Sequence, residues 1–350
     1  MTNSNRRHFI SIDALRGFAA LSVVLFHLGG AGLPKLSTPL TTRLTSWGWT
    51  GVEVFFVISG FVIPFVMMKS NYQWRDGGNF LARRFIRIWP PSAVLIALTV
   101  AQYAVVNRMG HGAPEGWTNI SAANIFANLF YAVPFTGQAW LNGILWTLSV
   151  EFQYYVLLAL AFPLLAAHRN WLVAAGAASL LTPLLPWAET AMFLKYAVYF
   201  VMGGLTLLYR EERVGRTAFL LLLAIFATVA TVELGWLPTA FATATALIIA
   251  FVPLRNRALV FLGTISYSLY LTHMLAASTT EFLLVSGVGV RSIVERFVGQ
   301  LICMTVAILG AWIFYQLVEV RFVHWSQRLA EKRPKADRAT PANGFPSESI

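Results

Sequence analysis

The sequence predicts an all-α, polytopic integral membrane protein with about ten transmembrane helices and both termini in the cytoplasm. Three observations predict it. Of 350 residues, 57% are hydrophobic and 12% charged, with a mean hydropathy of +0.64. A soluble domain carries roughly 25% charged residues, so too little polar surface is present to face water on every side. Apolar windows near the about 20 residues that a crossing needs recur along the chain. The basic residues gather at alternate ends of those windows, as topology demands.

The windows lie over 10–30, 50–68, 89–107, 141–166, 170–187, 191–209, 216–233, 237–254, 259–284 and 297–318. Arg6-Arg7 before the first window looks like an export signal, but Asp13 and Arg16 interrupt the apolar run and no clean small-x-small cleavage site follows. It is read as a span. The stretch 120–137 is apolar but broken by Asn124, Asn128, Pro134 and Gly137, which suits an interfacial or re-entrant piece on the outer side. With the N-terminus inside, 19 of the 26 Lys and Arg residues fall on the cytoplasmic side and five outside, while Arg16 and Lys195 lie within spans. Residues 1–329 then form the membrane domain, and the polar, proline-containing segment 330–350 a disordered cytoplasmic tail. Basic residues spread over span ends are not a nucleic-acid footprint. The single cysteine, Cys303, excludes an intrachain disulfide and a cysteine-rich metal site. No internal repeat of the kind that marks many transporters is present.

Charge within a span costs about 2.5–3.5 kcal/mol at mid-helix and marks a partner or a cavity. The first span carries Asp13, Arg16 and His27. Arg16 and His27 are eleven residues apart, so they share a helix face about 16 Å apart along the axis. Asp13, one turn before Arg16, is placed to pair with it. The second span opens Gly51-Val52-Glu53, with Glu53 near its outer end, either solvated at the interface or part of a site. Ser59 and Gly60 suit close helix packing. The inner loop 81–91 carries Arg84 and Arg87 three residues apart, either a fork for phosphate or an anchor on anionic lipid. The fourth span buries Glu151, with Thr147 and Tyr155 one turn either side as hydrogen-bond partners. In the ninth, Ser266, Tyr270 and His273 share a face. Glu319 and Arg321 close the last span at the inner interface. No zinc spacing, nucleotide loop or serine nucleophile elbow is present.

Taken together, Ile12-Asp13-Ala14-Leu15-Arg16-Gly17, His27, 51–61, 83–90, 146–155 and 266–273 resemble the membrane acyltransferase type 3 family, bacterial enzymes that O-acylate cell-surface and exported carbohydrates. Each block alone is weak, but they run in family order. Two positions depart from the pattern: Glu53 stands where aspartate is common, and Val320 replaces a proline after Glu319.

The resemblance implies a bacterial inner-membrane enzyme with acyl-CoA, usually acetyl-CoA, as cytoplasmic donor substrate, no permanently bound cofactor, and a carbohydrate or lipid-linked sugar as acceptor. Arg84 and Arg87, with Arg16 deeper, are expected to hold the CoA phosphates. His27 is expected to act as general base on the acceptor hydroxyl or as transient acyl carrier, since an imidazole with a pKa near about 6.5 suits proton transfer at neutrality. Glu151 is expected to orient a catalytic group or bind an acceptor hydroxyl, with Asp13, Glu53, Tyr270 and His273 in support. Intramembrane His, Arg and Glu also mark transport paths, so the rival expectation is a transporter or flippase of a lipid-linked sugar.

Overall fold

In lipid, every backbone N–H and C=O must be satisfied within its own segment, which favours helices wherever the chain is apolar. The computed structural model describes residues 3–109, 120–167 and 192–331. Among them it holds helices and no strand. In chain order these are α1 (Asn3–Phe26), α2 (Pro39–Thr45), α3 (Gly51–Lys69), α4 (Gly77–Arg108), α5 (Ala122–Leu129), α6 (Val133–Thr136) and α7 (Leu145–Ala167). There follow α8 (Phe193–Arg210), α9 (Arg216–Leu234), α10 (Trp236–Phe251), α11 (Arg257–Thr264), α12 (Ser266–Leu283), α13 (Ile293–Phe314) and α14 (Val320–Glu331).

Among the described residues six helices are long and apolar enough to cross a membrane, or seven if the bent pair α11–α12 is one span. Helix α10 is apolar but, at 16 residues, shorter than the about 17 that a crossing takes, and the 18-residue α8 is not apolar enough to be counted. The expected span 170–187 and the tail beyond Glu331 lie outside the described residues. Large apolar side chains such as Leu221, Ile225 and Val232 on α9, and Ile293, Val294 and Phe297 on α13, are exposed, as a lipid-facing surface requires.

Chain direction alternates. Lys69 at the end of α3 pairs with Glu211 after α8 at 2.8 Å, and Leu254 after α10 bonds Ser11 in α1. The starts of α1 and α4 and the ends of α3, α8 and α10 therefore share one end of the bundle, called here the near end. The end of α1 and the starts of α3, α7 and α8 share the far end. Without a hydrophobic force between helices in lipid, close backbone contact drives association. A Cβ on Gly60 of α3 would stand 2.1 Å from the Phe200 carbonyl oxygen of α8, and one on Gly203 would stand 2.1 Å from that of Val57. Gly60 is thus a packing residue.

Three expectations are corrected. The segment 81–91 is not a loop: α4 runs unbroken from Gly77 through Pro90-Pro91 to Arg108, so Arg84 and Arg87 are helix residues. The expected single span 259–284 is bent by 77° between α11 and α12. Gly263 of α11 lies backbone-to-backbone on Asp13, which holds α11 along α1 while α12 turns away. The last span does not end at Glu319. Helix α13 continues through a π-turn (Tyr315–Glu319) into α14, and Glu319 is buried inside that run. The segment 120–137 forms α5 and α6, and its carbonyls are bound by α4 and α7: Trp89 donates to Leu129 at 2.7 Å and Ser149 to Tyr131 at 3.0 Å. Burial pushes the Tyr131 phenol well above its ordinary pKa, so it stays a neutral hydroxyl, 2.6 Å from Ser92 Oγ.

Candidate functional site

Helix α1 ends at His27, where the chain loosens into a π-turn (His27–Ala31). Gly30 there takes φ +138°, a conformation that L side chains rarely adopt. His27 Nδ1 lies 2.8 Å from the Val23 carbonyl oxygen and 3.3 Å from His273 Nε2. His273, 1% exposed in α12, turns its own Nδ1 to the carbonyl oxygens of Tyr270 at 2.8 Å and Leu269 at 3.1 Å. Carbonyl oxygens only accept, so Nδ1 carries the proton in both rings. Neutral His273 then presents a bare Nε2, which accepts from His27 Nδ1–H alongside Val23. That leaves His27 Nε2 with its lone pair and without a partner among the described residues, on a side chain that lines a cavity. Sequence spacing put both histidines among the candidates; the pairing itself comes from the fold.

The cavity, about 370 Å³, opens at the far end between α1, α3, α7, α8, α9 and α12. Glu53, Lys195, Glu233 and Tyr270 line it with His27, and Trp146 forms part of its wall. Tyr270 is fixed to α7, its hydroxyl 2.7 Å from Thr147 Oγ1 and 3.3 Å from the Ile144 carbonyl oxygen. Glu53 is 3% exposed, not solvated at an interface.

A second polar cluster lies on the near-end side of the histidines. The charges within electrostatic reach of the Arg16 guanidinium are Arg87, Asp13, Glu319 and Glu151. Arg84 sits over the rings of Phe80 and Tyr155, each centroid 5.6 Å away. The Tyr155 hydroxyl donates to Glu151, as its place one turn on suggested, whereas Thr147 goes to Tyr270 instead. Asp13 and Arg16 make no direct ion pair, although their spacing allows one. Glu319 accepts from Ser268 N at 3.1 Å and Ser268 Oγ at 2.5 Å, which tethers α12 to the end of α13. Arg16, Arg84, Arg87, Glu151 and Glu319 thus come from three helices and one π-turn into one charged network. Glu151 belongs to this network; the ring neighbours of His27 are Val23 and His273.

Sequence reasoning missed Glu319, Lys195 and Glu233. Lys195 did stand out as one of two basic residues inside expected spans. Glu233 and Glu319 looked like ordinary helix-end charges. Among the described residues no three His, Cys, Asp or Glu side chains converge as a metal site would require.

Residues 9–316 match the family described as acyltransferase domain. Among relatives, the peptidoglycan O-acetyltransferase OatA of Listeria monocytogenes is 29% identical over 171 residues, which is 45% of this chain and 24% of that protein. The O-acetyltransferase OatA of Staphylococcus aureus is 27% identical over 176 residues, 47% of this chain and 26% of that protein. The matched part of the chain thus spans about a quarter of these relatives' length. No solved structure matches the chain.

Proposed function

The chain belongs to the acyltransferase family matched by its residues 9–316, and on that premise we propose that it is an inner-membrane O-acyltransferase carrying an acyl group, in the simplest case acetyl, from cytoplasmic acyl-CoA to a hydroxyl of a carbohydrate. The name of the Listeria relative favours peptidoglycan as the acceptor. The observation that carries this reading is the bare Nε2 of His27, on a side chain that lines the cavity, with its other nitrogen engaged by Val23 and His273.

In the proposed mechanism His27 Nε2 takes the proton of the acceptor hydroxyl while that oxygen bonds to the thioester carbonyl carbon. The C–S bond then breaks, the sulfur leaves as thiolate and His27 returns the proton to it, giving ester and free thiol. During the step His27 is an imidazolium. Its Nδ1–H already points at the Val23 carbonyl and at His273 Nε2, which stabilise that charge without rearrangement. Arg84 and Arg87, with Arg16, bind the donor phosphates, since guanidinium forks match phosphate oxygens. Glu151 and Glu319 hold those cations in place between turnovers.

The test uses membranes with and without the protein, radiolabelled acetyl-CoA, and mass spectrometry of the cell-envelope glycans of deletion and parent strains. Protein-dependent label in glycan, and an acetyl mass difference lost on deletion, are expected. A protein that consumes no acyl-CoA yet moves a lipid-linked sugar across the bilayer would overturn the reading.

A further inference from the structure

In the far-end cavity, the Glu53 Oε2 atom is buried and has no hydrogen-bond partner among the described residues. Glu53 itself is 3% exposed and lines the same cavity as His27. A buried carboxylate without a partner is costly, and its neighbours in a folded protein normally supply one. Lys195 lines the cavity too, yet no ion pair joins it to Glu53 or to Glu233. An acidic and a basic side chain that share a cavity without pairing leave donors and acceptors free for a third party.

We propose that this cavity is the acceptor subsite, and that Glu53 and Lys195 together hold hydroxyl or acetamido groups of one sugar residue while a further hydroxyl of that residue faces His27 Nε2. This rests on the acyl-transfer reading and names the residues that choose its acceptor. The lining excludes simpler ligands. A cation meets Lys195, and an anion meets Glu53 and Glu233. A hydroxyl both donates and accepts, so a polyol satisfies carboxylate and ammonium at once. A volume of about 370 Å³ falls in the range of small-molecule sites, about 300–1,000 Å³. Trp146, in contact with Tyr196 at a ring-centroid distance of 5.3 Å, gives an aromatic wall for the apolar face of a sugar ring. The charged network of Arg16, Arg84 and Arg87 lies away from this cavity, so donor and acceptor reach His27 from different directions.

The experiment uses the purified full-length protein in nanodiscs and a soluble N-acetylglucosamine–N-acetylmuramic acid disaccharide as probe. Saturation-transfer NMR reads sugar binding, and release of free thiol from acetyl-CoA reads donor turnover. The parent is expected to bind the disaccharide. Glu53→Gln should weaken that binding at least tenfold and Glu53→Asp should restore part of it, with Lys195→Met also weakening it. All variants should keep the parent's monodisperse elution and its KM for acetyl-CoA. Sugar binding that depends on Glu53 while no acetyl-CoA is consumed would sink the transferase reading but leave the subsite standing. Disaccharide bound equally by parent and both Glu53 variants, or bound by none, overturns the subsite, whatever the donor turnover.

Discussion

Replacing His273 with phenylalanine isolates the histidine pair. The ring is 1% exposed, so a side chain of similar shape fills its place. The carbonyls of Leu269 and Tyr270 that it leaves lie in a helix and keep their backbone partners. What disappears is the acceptor 3.3 Å from His27 Nδ1. In the resting enzyme that contact is a long neutral hydrogen bond shared with Val23. In the proposed transfer step it becomes charge-assisted, and such bonds contribute about 1.5–3 kcal/mol. The loss therefore falls on the transition state, and kcat should drop about 10- to 150-fold. Both KM values should stay within about twofold, since neither substrate meets His273.

The assay is steady-state transfer from acetyl-CoA by purified protein, with folding checked by thermal unfolding. A double variant supplies the decisive comparison. If His273 acts only through His27, then His27→Ala with His273→Phe should be no slower than His27→Ala alone, because residues that act as a unit are not additive. A raised KM with unchanged kcat would refute the reasoning. So would a double variant slower than His27→Ala by the full factor that His273→Phe shows on its own.

Four further outcomes are expected. His27→Ala should insert at parental abundance and lose roughly 10²- to 10⁴-fold in transfer, the contribution of a positioned base, measured on equal amounts of membrane protein. Arg84→Ala and Arg87→Ala should each weaken CoA affinity about tenfold to a hundredfold by calorimetry, with Arg87→Lys recovering part; unchanged affinity in folded protein would make them lipid anchors. A phosphatase fused after the last residue should be inactive in the periplasm, and activity there would overturn the cytoplasmic tail. Gly203→Leu should strongly reduce the yield of folded protein on gel filtration, because its Cβ would stand 2.1 Å from the Val57 carbonyl oxygen.

Much of the site was legible because charge in lipid is conspicuous. Arg16, His27, Glu151 and His273 interrupt runs of apolar residues, and their cost there marks them. What one-dimensional spacing cannot carry is which helices meet. Asp13 and Arg16 have the spacing of an ion pair and stay within electrostatic reach of each other without forming one, while Arg87, Glu319 and Glu151 from other elements also reach Arg16. Glu319 looked like a helix-end charge because the apolar window stops near it. Continuation of α13 through a π-turn places it beneath Ser268 instead. The bend between α11 and α12 is invisible for a similar reason: Gly263 reads as a small residue, and only its contact with the Asp13 backbone reveals why the span breaks there. Lys195 and Glu233 matter through a shared cavity, and sharing a cavity is a property of three dimensions.

In the proposed mechanism the spacing on α1 gives the two clusters a common purpose. Arg16 and His27 lie on one face about 16 Å apart along the axis. In acyl-CoA the nucleotide phosphates and the thioester sit at opposite ends of the pantetheine arm. A donor whose phosphates rest on Arg84, Arg87 and Arg16 must therefore send its acyl group some distance along α1 before it meets a base, and His27 stands in that direction. A histidine beside the arginines would meet phosphate rather than thioester, and its imidazolium would be opposed by their charge. Separation solves both problems. It leaves the ring proposed to transfer the proton among neutral partners, Val23 and His273, while Glu151 and Glu319 lie within electrostatic reach of the Arg16 charge a few turns away. In that mechanism the first helix works as a ruler, and the substitutions that would disturb it most are those that change its length or rotation between Arg16 and His27, not those that alter its apolar face.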